Sequence, residues 1–334
     1  MILEDALLAR YDSLLLDLDG VVYVGEQAVP GAAETITTAA AHSVGIRYVT
    51  NNASRTPEEV AAHLVRLGLP ASASQITTSA QAGARLLHDQ IPAGSGVLAV
   101  GGAGVSAALS AVGLEPIDAS HPEVAQADVA AVMQGFGKEV GWHDLARASF
   151  ALSRGIPWVA TNVDLTIPVE QGIAPGNGAL VAAVETATKR TPQVAGKPFP
   201  EIMRFAAERV TGSEPLVVGD RLDTDIEGAV SANLPAAMVM TGVSGVLDLW
   251  RAEPHQRPHY LLADLADLLK PVPDLVWTSH GVSVGEAWAR VEAGLLEVAG
   301  ATVDAVWAAA NLIWSQDREP SNVDDIAARF VTGP

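Results

Sequence analysis

The 334-residue sequence predicts an α/β protein with a doubly wound parallel-sheet core, an inserted second α/β domain and a small, mainly helical C-terminal appendage. Short apolar segments alternate with helical patterns, and this alternation indicates right-handed βαβ crossovers between parallel strands. The apolar segments are nearly continuous, as expected for strands that are covered on both faces. Seven of them are predicted as strands: residues 14–18, 45–50, 97–100, 129–133, 156–160, 216–219 and 236–240.

The charge balance and the lack of cysteine exclude several classes of function. The chain has 20 Lys+Arg against 39 Asp+Glu, a formal net charge of -19. Such a surface repels nucleic-acid backbones and anionic lipid, so neither nucleic acid nor a membrane is an expected partner. Disulfides, thiolate zinc sites and a cysteine nucleophile are excluded. The N-terminus is acidic where a signal peptide needs a basic flank and an apolar run, which predicts a cytoplasmic protein.

The first candidate site lies at the end of the first strand, where one residue separates Asp17 from Asp19. Alternation along the strand puts both carboxylates on one side, where they repel by roughly 4 kcal/mol at about 4 Å and an effective dielectric constant of about 20. A divalent cation would offset this repulsion, and oxygen ligands without nearby His or Cys favour Mg²⁺ over zinc. The alternative is a strand that simply runs into an acidic turn.

Neutral and cationic groups follow two further apolar segments. Thr50, Asn51 and Asn52 end the second strand and offer neutral donors to phosphate oxygens, although ordinary turns use the same residue types. Lys197 stands between a glycine and a proline in a chain that is poor in lysine. A solvated surface charge is the alternative interpretation of this lysine.

The last candidate segment again ends a strand in acid. Asp220 follows the apolar residues 216–219, and Asp225 comes five residues later at the start of a predicted helix. Capping of the helix N–H groups would explain Asp225 alone. Ligands bind at the carboxyl ends of strands in open α/β sheets, so the four segments are predicted to converge on one site.

In this order, the four segments resemble the motifs of the haloacid dehalogenase-like superfamily. The matching residues are Asp17-x-Asp19-Gly20, Thr50-Asn51-Asn52, Lys197, and Gly219-Asp220 with Asp225. The chain is most similar to the branch typified by the ribonucleotide phosphatase of N-acetylglucosamine operons and by 4-nitrophenyl, pyridoxal and phosphoglycolate phosphatases. Within that branch it looks most like actinobacterial enzymes assigned to D-glycerol 3-phosphate.

The resemblance implies hydrolysis of a small phosphorylated metabolite with Mg²⁺ as the cofactor. It implies that Asp17 is the nucleophile and carries an aspartyl-phosphate, and that Asp19 is the general acid and base. The implied metal ligands are the Asp17 carboxylate, the Asp19 backbone carbonyl and the Asp220 carboxylate.

The resemblance also implies a set of groups that bind the phosphate and the substrate. The implied phosphate-binding residues are Thr50, Asn51, Asn52 and Lys197. Asp225 is implied to orient Lys197 or a metal-bound water. In the inserted domain, Asn162 and Asp164 lie in a stretch that the branch uses for substrate contact, although a capping turn would also explain them.

The spacing of the motifs supports this branch independently. The short interval between Asp19 and Thr50 has room for one helix, whereas the long interval before Lys197 holds strands and helices of its own. Sugar-phosphate mutases of the superfamily carry their insertion in the first interval instead. The predicted domains are a core in residues 1–82 and 193–272, a cap domain in residues 83–192 and the appendage in residues 273–334.

Helical periodicity predicts the structure of the appendage. One helix is predicted through Trp288, Val291, Leu295 and Val298, and a second through residues 303–314. Ser321 is predicted to cap a last short helix.

Several alternatives stay open at this point. Besides D-glycerol 3-phosphate, the substrate classes are phosphoglycolate, pyridoxal phosphate and nucleotides. A non-catalytic phospho-ligand-binding protein of the same fold is an alternative of another class, but it would have no need of Asp19. A homodimer is one assembly that the sequence leaves open.

Overall fold

The computed structural model describes residues 4–120, 128–169 and 171–330. The chain forms two compact units. The first comprises Met1–Ile46, Leu67–Leu69 and Val210–Pro334, and the second comprises Arg47–Arg66 and Pro70–Arg209. The division into core, cap and appendage that the sequence predicts stays a prediction.

Strands and helices alternate along most of the chain. The strands are β1 (Ser13–Leu16), β2 (Tyr23–Val24), β3 (Gln27–Ala28), β4 (Gly45–Thr50), β5 (Ile76–Thr78), β6 (Gly96–Val100), β7 (Glu115–Asp118), β8 (Ala131–Gln134), β9 (Trp158–Ala160), β10 (Thr166–Val169), β11 (Gly172–Pro175), β12 (Gln193–Val194), β13 (Pro215–Gly219), β14 (Ala236–Val239), β15 (Tyr260–Leu262), β16 (Leu275–Thr278), β17 (Gly281–Val284), β18 (Ala287–Glu292) and β19 (Leu295–Ala299). The α-helices are α1 (Ala32–Ala41), α2 (Pro57–Arg66), α3 (Ser79–His88), α4 (Ala103–Ala111), α5 (Trp142–Leu152), α6 (Asn177–Thr188), α7 (Pro200–Ala207), α8 (Glu227–Ser231), α9 (Val246–Trp250), α10 (Val303–Trp314) and α11 (Val323–Ala327).

Parallel strands form the core of the first unit, in the order β15-β14-β13-β1. Ser13 pairs with Pro215 and Leu16 with Val218, so β1 and β13 end at the same edge of the sheet. All the residues of β1, β13 and β14 are buried, which matches their nearly continuous apolar sequence. The predicted fold class and the predicted strands 14–18, 216–219 and 236–240 are confirmed within one or two residues.

Parallel strands also dominate the second unit. β4 pairs with β5, and a five-stranded sheet has the order β12-β9-β8-β6-β7. Leu98, Val132 and Trp158 of its strands belong to a buried hydrophobic cluster with Leu152 of α5 and Val184 of α6. The remaining four predicted strands are therefore confirmed, although β8 and β9 each begin two residues later than predicted.

The C-terminal appendage departs from the predicted pattern in its first half. The helix predicted through residues 288–298 is wrong, because β16 to β19 form an antiparallel four-stranded sheet. A two-residue turn joins β18 to β19, and both of its residues, Ala293 and Gly294, have positive φ. The helix predicted over residues 303–314 is confirmed as α10. The last helix, α11, begins after Asn322 as its N-cap residue and not after Ser321.

Helix α10 packs against β17 and β18 and ties the appendage to α9. The indole N–H of the buried Trp250 donates to the Val306 carbonyl at 3.0 Å, and the indole N–H of Trp314 donates to the Leu249 carbonyl at 3.1 Å. Over the described ranges, no helix is both long and apolar enough to span a membrane.

Candidate active site

Three carboxylates of the first unit meet at the carboxyl ends of β1 and β13. Asp17 and Asp220 are the residues directly after these two strands, and Asp225 lies in a π-helical turn over Leu222–Ile226. One carboxylate oxygen from each lies within 4.8 Å of those of the other two. We call Asp17, Asp220 and Asp225 the acid cluster.

Backbone groups and two glycines position Asp220. Its Oδ2 accepts a hydrogen bond from the Val243 N–H at 2.7 Å, and its side chain is almost completely buried. A Cβ at Gly242 would lie 2.0 Å from this oxygen, and a Cβ at Gly20 would lie 2.4 Å from it. Real Cβ atoms do not approach an oxygen so closely, so Asp220 keeps its place only because both neighbours lack a side chain.

Asp225 is held in a similar way. The Arg221 N–H donates to its Oδ2 at 3.1 Å. A Cβ at Gly219 would lie 2.1 Å from the Asp225 Cβ. The Gly219-Asp220 pair that the sequence presents as one motif therefore serves both acids: Asp220 ends the strand, and Gly219 makes room for Asp225.

The chemistry of the acid cluster fits a magnesium ion. Each pair of such carboxylates repels by roughly 4 kcal/mol at about 4 Å in a partly buried site. A divalent cation turns this repulsion into attraction, and oxygen-only ligands suit Mg²⁺. Asp17 and Asp220, two of the predicted ligands, are thus brought together. Asp225, predicted only to orient other groups, lies within the same 4.8 Å.

Asp19 lies in the turn after β1 and is exposed to solvent. Its carboxyl does not belong to the three-carboxylate group found among the described residues. The surrounding protein displaces water and raises the pKa of Asp19, and a hydrogen bond from the Gly20 N–H opposes this only in part. Gly20 itself has a φ of 84° and donates to the Tyr23 carbonyl at 2.7 Å, which folds the turn.

In the second unit, Thr50 and Asn52 form a compact turn after β4. The Thr50 hydroxyl accepts from the Asn52 N–H at 3.1 Å, and Thr50 is buried. The Asn52 Oδ1 accepts from the Ser54 N–H and hydroxyl, both at 2.9 Å. The Asn52 side chain therefore shapes the loop, as the ordinary-turn interpretation of the sequence expects.

Asn51 and Lys197 are joined directly. The Asn51 Oδ1 accepts from the Lys197 N–H at 2.8 Å, and the Asn51 Nδ2 donates to the Lys197 carbonyl at 3.1 Å. The same Nδ2 lies 3.4 Å from both carboxylate oxygens of Asp164. Lys197 is 4% exposed, and its Nζ donates to the Val49 carbonyl at 3.4 Å.

Two buried asparagines continue this network. The Asn162 Nδ2 donates to the Asn51 carbonyl at 2.8 Å, and its Oδ1 accepts from the Asp164 N–H at 3.2 Å. The Asn177 Nδ2 donates to the Asn162 carbonyl at 2.7 Å. We call Asn51, Asn162, Asn177 and Lys197 the amide cluster. Sequence reasoning missed Asn177, because an asparagine that follows a glycine at the start of a helix looks like ordinary capping.

Comparisons with known proteins agree on one family. Residues 14–115 match the haloacid dehalogenase-like hydrolases, and residues 194–268 match a second HAD-hydrolase-like profile. The D-glycerol 3-phosphate phosphatase of Mycobacterium tuberculosis is 46% identical over 261 residues, which are 78% of this chain and 71% of that protein. The acid sugar phosphatase of Staphylococcus haemolyticus is 35% identical over 258 residues, 77% of this chain and 94% of that protein.

A solved structure gives the same result over nearly the whole chain. The crystal structure of glycerol phosphate phosphatase from M. tuberculosis in complex with magnesium has a TM-score of 0.85 at 38% identity. The match covers 98% of this chain and 99% of that one, and therefore includes the appendage. From this agreement, the chain belongs to the haloacid dehalogenase-like hydrolase family.

Proposed function

We propose that this chain is a Mg²⁺-dependent phosphatase that hydrolyses D-glycerol 3-phosphate to glycerol and phosphate. The acid cluster carries the proposal, because three adjoining carboxylates after parallel strands suit a hard cation and supply a nucleophile. The 46% identity to a D-glycerol 3-phosphate phosphatase supports the substrate.

Asp17 acts as the nucleophile. One of its carboxylate oxygens attacks phosphorus, the bond from phosphorus to the ester oxygen breaks, and an aspartyl-phosphate forms. Water then attacks the phosphorus of this intermediate, which releases phosphate and restores the carboxylate. Splitting one hard displacement into two easier ones is the benefit of the covalent route.

Asp19 moves the proton in both steps. It donates to the leaving alkoxide, and in the second step it takes a proton from the attacking water. Its raised pKa favours the protonated form that the first step needs. Its exposed position leaves the carboxyl accessible to a leaving group.

The Asp17 carboxylate, the Asp19 backbone carbonyl and the Asp220 carboxylate would hold the magnesium ion. When bound, the ion neutralises charge on the phosphoryl oxygens. The proximity of Asp225 to Asp17 and Asp220 supports a place for it beside the same ion.

Thr50, Asn52, Lys197 and the main chain at Asn51 bind the transferred phosphoryl group in this proposal. The transition state spreads negative charge over the equatorial oxygens, so positioned donors and one fixed cation stabilise it. Neutral donors suit a protein of net charge -19, and Lys197 supplies the positive charge. Asn162 and Asp164 are the proposed substrate contacts in the predicted cap domain.

To test this proposal, the wild-type protein is given a panel of phosphomonoesters, and phosphate release from each ester is measured with and without Mg²⁺. The expected result is the highest kcat/KM for D-glycerol 3-phosphate and loss of turnover after chelation of the metal. A higher kcat/KM for phosphoglycolate, pyridoxal phosphate or a nucleotide would change the proposed substrate but leave the proposed reaction unchanged. Binding of these esters without any phosphate release would favour the non-catalytic binding protein.

The proposal includes a cytoplasmic homodimer. Light scattering of the purified chain gives its mass directly, and a monomer mass at micromolar concentration would contradict the dimer. Fractionation of cells that express the native gene tests the location.

A further inference from the structure

We infer that Asn51 is a positioning residue whose side-chain amide fixes the backbone of Lys197 and does not itself bind the phosphate. The inference rests on the proposed function, because it assigns a role within that same reaction.

The first observation is the pair of hydrogen bonds between these two residues. The Asn51 side chain accepts from the Lys197 N–H and donates to the Lys197 carbonyl, at 2.8 and 3.1 Å. Both main-chain groups of Lys197 are thus bound by one amide, as if by a neighbouring strand. A lysine side chain is flexible, so fixing its backbone is one way to fix its charge.

The second observation concerns the donors of Asn51. An asparagine amide has two N–H groups. Its Nδ2 contacts the Lys197 carbonyl at 3.1 Å and the Asp164 carboxylate at 3.4 Å. These two contacts use both N–H groups, so the side chain has no donor left for a phosphate oxygen.

The third observation explains the glycine before Lys197. A Cβ at Gly196 would lie 2.5 Å from the Asn51 Oδ1 and 2.5 Å from the Thr161 carbonyl oxygen. Gly196 does not have a positive φ, so its backbone conformation does not require glycine. The close approach of the Asn51 amide is therefore a reason for glycine at this position.

The fourth observation is that Asn51 is itself anchored. Its carbonyl accepts from the Ser79 hydroxyl at 2.7 Å and from the Asn162 amide at 2.8 Å. Asn162 is 4% exposed, and Asn177, which holds it, is 1% exposed. A buried, mutually bonded network of this kind can hold a lysine in place before substrate arrives.

A double-mutant cycle tests the inference, with 4-nitrophenyl phosphate as the substrate so that the result does not depend on the metabolite. Asn51→Ala is expected to lower kcat/KM by about 10²-fold through misplacement of the lysine, and Lys197→Ala by about 10³-fold. If Asn51 acts only through Lys197, the double variant matches Lys197→Ala within about twofold. The Mg²⁺ concentration for half-maximal rate should not change in any of the three.

If the losses of kcat/KM in the two single variants multiply in the double variant, the inference is wrong. Asn51 would then contribute independently of Lys197, as expected of a direct contact with substrate. If Asn51→Ala does not fold, the neutral Asn51→Ser enters the same cycle. It removes both amide donors without adding a charge beside Asp164, and the fold-losses are compared in the same way.

Asn311→Ala is the matched control, since the Asn311 amide also donates to a protein carbonyl, that of Trp307, at 2.9 Å within α10. Its kcat/KM should stay within about twofold of wild type. A loss like that of Asn51→Ala would show that removing any such amide has this effect, and would overturn the inference. No turnover of either 4-nitrophenyl phosphate or D-glycerol 3-phosphate by wild type would refute the proposed function itself and the inference with it, whereas multiplied effects in an active enzyme refute the inference alone.

Discussion

The acid cluster and the amide cluster show two ways to build a polar site at strand ends. The acid cluster places three like charges within 4.8 Å, so its geometry becomes favourable when a cation is present. The amide cluster consists of neutral groups that bond to one another and to main-chain atoms around one lysine. The difference teaches that the first cluster should respond to metal concentration, while the second is set by folding alone.

The largest expected effect comes from Asp17→Asn. The substitution keeps the shape of the side chain but removes the nucleophile, so turnover should fall by at least about 10⁴-fold with the fold intact. Phosphate release measures turnover, and circular dichroism measures whether the fold is intact. Asp223→Asn is the matched control in the acid-rich turn, because Asp223 is exposed and paired with Arg221 at 2.8 Å. Near-normal turnover by Asp17→Asn would refute the nucleophile.

Magnesium titration separates the acid cluster from the proposed phosphate-binding residues after β4. Asp220→Asn removes a proposed ligand charge, so the Mg²⁺ concentration for half-maximal rate should rise by about 10- to 100-fold. Thr50→Val removes a neutral donor after β4, so kcat/KM should fall by about 10-fold while the Mg²⁺ requirement stays constant. Equal shifts of the Mg²⁺ requirement in both variants would show that the magnesium response extends beyond the acid cluster.

A smaller effect is expected from a substitution that replaces no charged residue. In Gly242→Ala the new Cβ would meet the Asp220 carboxylate at 2.0 Å, so the acid must move. We expect a Mg²⁺ requirement raised by about 10-fold and a stability loss of about 1–3 kcal/mol. Gly141→Ala is the control, since its Cβ would meet no atom within 4 Å. Metal titration and thermal unfolding of both variants give the comparison.

Apolar parallel strands made the core predictable from the sequence. The chain must bury Leu14, Leu15 and Leu16 on both faces of a sheet, so the strand and the position of Asp17 at its end could be read directly. The grouping of Asp17 with Asp220 then follows from the pairing of β1 with β13. Asp225 reaches Asp17 and Asp220 through a π-helical turn and the missing Cβ of Gly219, which the sequence spacing alone does not show.

The appendage was harder to predict because its apolar residues fit two periods. Trp288, Val291, Leu295 and Val298 match helical spacing, yet they lie on two strands joined by the turn at Ala293 and Gly294. Gly294 was the signal, since glycine in a helical pattern costs about 1 kcal/mol and fits a hairpin turn. Asn51, Asn162 and Lys197 were predicted as site residues from the sequence. Their hydrogen bonds and the inclusion of Asn177 could not be foreseen, because asparagines that bond across distant loops leave no periodic pattern.

Asp12 offers a third kind of carboxylate, one that backbone N–H groups satisfy without any cation. Its Oδ2 accepts from Ser213 and Glu214 at 2.7 and 3.0 Å. Burial alone would raise the pKa of Asp12, but the hydrogen bonds from Glu214, Ser213 and the Ser13 hydroxyl outweigh it and hold the pKa below its ordinary value.

The smallest effect on activity is therefore expected from Asp12→Asn. A carboxyl with a lowered pKa in the folded state stabilises that state above the unfolded pKa, about 3.9, and loses this contribution as pH falls through the folded value. At neutral pH the variant should be less stable by about 1 kcal/mol, and the gap from wild type should close below about pH 4. Urea unfolding across pH measures this, and kcat/KM and the Mg²⁺ requirement should not move. A changed Mg²⁺ requirement would mean that the magnesium response is not confined to the acid cluster, because Asp12 lies outside it and accepts from N–H groups and from the Ser13 hydroxyl.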